Sequence, residues 1–137
     1  MGTNPQRDRY LSDSLATASP QRLLTMLWDR LILDLTVAED SLGSGDLATA
    51  SERMLHAQDI VFELRTSLRT DAWAGAHGLA ALYAYVESRL VQANIQKDAA
   101  IVIECRGHLE PLRDAFREAA DIVTAEQAER ATLVASA

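Results

Sequence analysis

Between Leu47 and Leu68, seven apolar residues recur at alternating spacings of three and four without a gap: Leu47, Ala50, Met54, Ala57, Val61, Leu64 and Leu68. A strand, with its side-chain period of two, would scatter them over both faces. A helix, at about 3.6 residues per turn, collects them into one stripe. A stripe of that length is buried only against other long apolar stripes, so the chain is constrained to helices packed along their lengths.

Three further stretches repeat the pattern. From about Pro20 to Leu42 the stripe is Leu24, Leu27, Trp28, Leu31, Leu35, Ala38 and Leu42. From about residue 74 to residue 96 it is Leu79, Leu82, Tyr83, Val86, Leu90 and Ala93. After Asp98 it is Ile101, Cys105, Leu109, Leu112, Phe116 and Ala119.

The punctuation agrees with these limits. Ser19 is a helix N-cap, worth about 1 kcal/mol through a bond to a free backbone N–H. Pro20 fits the first helical position, where its missing N–H costs nothing. Gly43-Ser44-Gly45-Asp46 ends one helix and caps the next, and Asp98 caps the fourth. Pro111 is predicted to kink that last helix, its ring pressing on the carbonyl of Gly107.

Helices of about 22 residues span about 33 Å. Joined by short connections, they form an all-α, antiparallel up-down-up-down four-helix bundle over residues 19–120. A short N-terminal arm, 1–18, precedes it. Residues 121–137, with weak periodicity and a small, polar finish, are read as a fraying helix end and a flexible C-terminal tail.

Composition supports helices over a sheet: two Trp, three Tyr and two Phe in 137 residues leave few of the aromatic side chains that strands favour. The net charge of −7 gives no electrostatic footprint for nucleic acid or an anionic membrane surface. A single cysteine makes neither an internal disulfide nor a zinc site, which suits a reducing cytosol. The N-terminus lacks the apolar core of a signal peptide, and Gln6 stands where myristoylation asks for Ser or Thr. A cytoplasmic protein is expected.

No residues recommend an enzyme. A di-iron bundle needs Glu-x-x-His on two helices and inward carboxylates on the others. Here Glu52/His56 and Glu104/His108 are four apart and lie beside the stripes, as exposed i,i+4 pairs would. His77 has no partner in its vicinity. Cys105 sits in the core stripe as a small hydrophobe. The Gly43–Asp46 turn has too few glycines, and no following Lys, for a phosphate loop. No catalytic, metal or cofactor residues are expected.

What remains is apolar surface in excess of one core. Met26, Leu33 and Val37 project nearly opposite the core face of the first helix. Leu55 and Phe62 do so on the second, and Ala84, Val91 and Ile95 on the third. Six or seven such side chains at about 1.5 kcal/mol each would supply on the order of 10 kcal/mol before ordering costs. Stripes of helical period suit a groove for a foreign helix. The alternative is a non-catalytic bundle whose stripes mediate homo-oligomerisation. The arm residues Tyr10, Leu11 and Leu15 are amphiphilic, and such an arm suits an empty groove that it vacates when a partner arrives.

Four stretches, in order and at consistent spacing, carry a resemblance: TASPQRLLTMLWD (17–29), GDLATASERMLHAQDI (45–60), LAALYAYVESRLVQANIQKD (79–98) and LRDAFREA (112–119). Together they resemble the flagellar secretion chaperone family FliS over about residues 10–120. The resemblance implies a cytosolic export chaperone that binds the C-terminal helical segment of flagellin. It would prevent premature polymerisation and keep the subunit competent for delivery to the export apparatus. The chain itself is expected to be a monomer or weak homodimer. It also implies that Tyr10 belongs to a groove-covering segment and that Leu90, Val91, Asn94 and Ile95 match a family pattern on the third helix. Arg7, Arg22, Trp28, Arg30, Pro111 and the extended tail depart from the family's usual sequence.

Overall fold

A computed structural model describes residues 5–6 and 19–136. The arm residues Tyr10, Leu11 and Leu15 lie outside the described residues. Among the described residues, four long helices follow in order: α1 Pro20–Ser44, α2 Leu47–Ser67, α3 Ala76–Gln96 and α4 Ala99–Ser136. Each packs on its neighbours in sequence, and α4 returns to α1, closing an antiparallel bundle.

The helix ends follow the local chemistry. Ser19 Oγ accepts from the Arg22 N–H at 3.3 Å, with Pro20 in the first turn. Gly45 takes the left-handed conformation, φ 81°, that ends α1 at little cost to a residue without Cβ. Asp46 accepts from the Thr49 N–H at 3.1 Å to start α2. Asp98 accepts from the Ala100 N–H at 2.9 Å to start α4.

The core is the predicted stripes with additions from their flanks. Trp28, Leu31, Leu35 and Ala38 meet Ala50, Met54, Ala57, Val61 and Leu64. Leu79, Tyr83, Val86, Leu90 and Ala93 face Ile101, Cys105 and Leu109. Trp28 stacks on Phe116 with ring centroids 5.4 Å apart and tilts against Tyr83 at 6.2 Å. Ile32, Ile60 and Val102 are also buried, because a bundle helix contacts two neighbours and needs a wider apolar face than one seam.

Three expectations are corrected. Leu47, in the first turn of α2, is about half exposed, since the stripe there has run past the packed layers. Ala119 is exposed for the same reason at the other end. The helix does not give way to a tail: α4 continues unbroken from Ala99 through Pro111 to Ser136. Residues 121–136 contain no Gly or Pro and include four Ala, two Glu, Gln127 and Arg130, all good helix formers, so an already nucleated helix propagates through them.

Candidate partner-binding site

The outer apolar residues share one positional rule. Met26, Leu33, Leu55, Phe62, Ala84 and Val91 each sit two places before a stripe residue, a rotation of about 200° that carries them away from the core. Leu55 and Phe62 are each 51% exposed, Val91 45% and Ile95 77%. Leu33 is half exposed and Ala84 exposed, while Met26 and Val37 are partly buried.

These side chains do not form a single site. Leu55, Val91 and Ile95 come together between α2 and α3 and line a cleft of about 220 Å³ with Gln58 and Asn94 on its walls. Phe62 continues this face, its ring 5.3 Å from the Arg65 guanidinium. Arg65 in turn donates to Glu87 across the α2–α3 boundary. Met26 lies elsewhere, in an α1–α2 cleft of about 630 Å³ with Leu23, Leu27 and Ile60.

Arg30 and His56 close the end of that second cleft over an anchor that the sequence reading missed. Asp34 is fully buried. It accepts from Arg30 Nε at 3.1 Å and from Arg53 Nη1 at 3.0 Å, and its second oxygen meets His56 Nδ1. Expected to pair with Glu52 within α2, His56 therefore pairs across to α1. A buried carboxylate must have its acceptor positions filled, and Asp34 flanks the α1 stripe on the side that faces α2. The position of an acidic residue immediately before Leu35 was the available signal.

On the far side, the expected Glu104/His108 contact is present at 3.2 Å, within a larger cluster. The Tyr85 hydroxyl donates to Glu104 at 2.6 Å and Arg89 Nε donates at 3.0 Å. These donors, Tyr85 foremost, hold the Glu104 carboxyl down at about 2. Burial pushes the Cys105 thiol up to about 12, which leaves it protonated and poorly nucleophilic. A third apolar cleft, of about 430 Å³, opens between α3 and α4 beside Trp73, Leu82, Leu112 and Phe116.

Among the described residues, no three His, Cys, Asp or Glu side chains are grouped so that they could hold a metal ion. None of the described helices is long and apolar enough to cross a membrane. The arrangement offers apolar grooves with fixed polar rims, which suits recognition of another chain.

Comparison with known proteins agrees. The family model for flagellar protein FliS matches residues 2–123. The flagellar secretion chaperone FliS of Bacillus subtilis is 32% identical over 110 residues, covering 80% of this chain and 82% of that relative. The Salmonella typhimurium protein of the same name is 30% identical over 79% of this chain and 82% of its own length. The Escherichia coli one is 29% identical over 85% and 88%. A match of that extent, on a chain folded as four antiparallel helices, places this protein in the flagellar protein FliS family.

Proposed function

We propose that this chain is a cytoplasmic flagellar export chaperone whose outer grooves hold the C-terminal helical segment of a flagellin, delaying its polymerisation until delivery to the export apparatus. The observation that carries the reading is the exposed apolar face that Leu55, Phe62, Val91 and Ile95 build across α2 and α3. The core stripes are filled without these residues, so their exposure serves no internal packing. Their period matches the i, i+3, i+4, i+7 anchors of a helix lying in a groove.

Titration calorimetry of the chain with the C-terminal segment of the cognate flagellin tests the proposal. One-to-one binding at micromolar Kd or tighter, about −8 kcal/mol or better, is expected. Ile95→Asp or Leu55→Asp should weaken it by about tenfold or more, with little change in the urea midpoint because both residues are exposed. Absence of heat at high concentration, or Asp variants that bind as well as the parent, would remove the proposal.

A further inference from the structure

The core stripe of α4 does not end where the other helices end. From Ala119 it goes on as Val123, Glu126, Arg130 and Leu133 at spacings of four, three, four and three, with Ile122 and Val134 beside it. Yet among the described residues its apolar side chains stay largely uncovered: Val123 is 39% exposed, Ile122 54%, Leu133 66% and Val134 77%. The hydrogen bond to α1 is made by a polar neighbour, Gln127, which accepts from Gln21 Nε2 at 2.8 Å. Glu126 and Arg130, placed in the middle of the stripe, make no ion pair or hydrogen bond among the described residues. The family model stops at residue 123, so most of the feature lies beyond what the family match accounts for.

The order of residue types in the extension is its own reverse complement. Read about Ala128, Ile122 corresponds to Val134, Val123 to Leu133 and Glu126 to Arg130. We infer that residues 119–134 of α4 form a self-pairing surface, on which a second copy of this chain docks antiparallel about a two-fold axis at the level of Ala128. In that register Ile122 lies against Val134 of the second copy, Val123 against Leu133, and Glu126 against Arg130, each contact made twice by symmetry. A parallel register would set Glu126 against Glu126 and Arg130 against Arg130, which like-charge repulsion opposes. Charge complementarity therefore selects both the occupant and its direction.

The helix is already formed by continuation from the bundle, so docking orders side chains rather than backbone. The paired stretch, Ile122 to Val134, spans about 18 Å of helix. This surface is separate from the α2–α3 face, and the inference does not rest on the function proposed above.

The test is the mass of the full chain in solution, followed by light scattering and sedimentation over a wide concentration range at physiological salt. A concentration-dependent monomer–dimer equilibrium is expected. Glu126→Arg alone and Arg130→Glu alone should each weaken it by about tenfold or more, since each sets like charges across the axis. Mixing the two variants should restore the dimer, because every Arg of one copy then opposes a Glu of the other. That rescue is intermolecular, so a local effect of either substitution on its own helix does not produce it. Leu133→Asp combined with Val134→Asp should leave monomer only, with circular dichroism unchanged. A parent chain that stays monomeric throughout, single variants that dimerise undiminished, or a mixture that fails to associate would each overturn the inference.

Discussion

Asp34 shows how much one buried side chain decides. Its carboxylate satisfies Arg30 and Arg53 and meets His56, joining α1 to α2 at the floor of the cleft that holds Met26. Those three partners are themselves partly exposed, so water can take them up again if the carboxylate is removed. Asp34→Ala should therefore cost about 2 kcal/mol, the lost charge-assisted bonds plus a small void, rather than the larger penalty of stranding a buried charge. Urea denaturation measures this, and a loss below about 0.5 kcal/mol would mean the cluster adds no stability.

At the scale of elements, α3 and α4 share less contact than the other neighbouring pairs, and Glu104 tethers them through Tyr85 and Arg89. Its folded carboxyl titrates at about 2, against an ordinary 4.5. A depressed value means that the tether contributes fully above about pH 4.5 and is lost as pH falls through about 2. The difference in melting temperature between the parent and Glu104→Gln should be present at neutral pH and shrink across that window. A difference independent of pH would exclude the carboxylate as its source. Exposure of the cluster keeps the effect small.

Over the whole molecule the core is one continuous cluster contributed by all four helices, and Cys105 lies within it fully buried. With its thiol pushed up to about 12 by that burial, labelling by a disulfide reagent at pH 8 requires the bundle to open. The labelling rate should rise with urea with the same slope as global unfolding. Fast labelling insensitive to urea would show that the α4 side opens by itself.

The periodicity of the four stripes was sufficient to place four helices and most of the core, because a helix records its buried face locally at three- and four-residue spacing. It also gave the outer residues Leu55, Phe62, Val91 and Ile95 correctly as exposed. It did not give Ile32, Ile60 and Val102 as buried, Asp34 as the partner of His56, or the continuation of α4 to Ser136. Nor did it separate Met26 from the cleft where Leu55 meets Ile95. Those outcomes depend on how each helix is rotated and staggered against its neighbours. The adjustment is made by close packing of side chains far apart in the chain, and no stretch of a single helix encodes it.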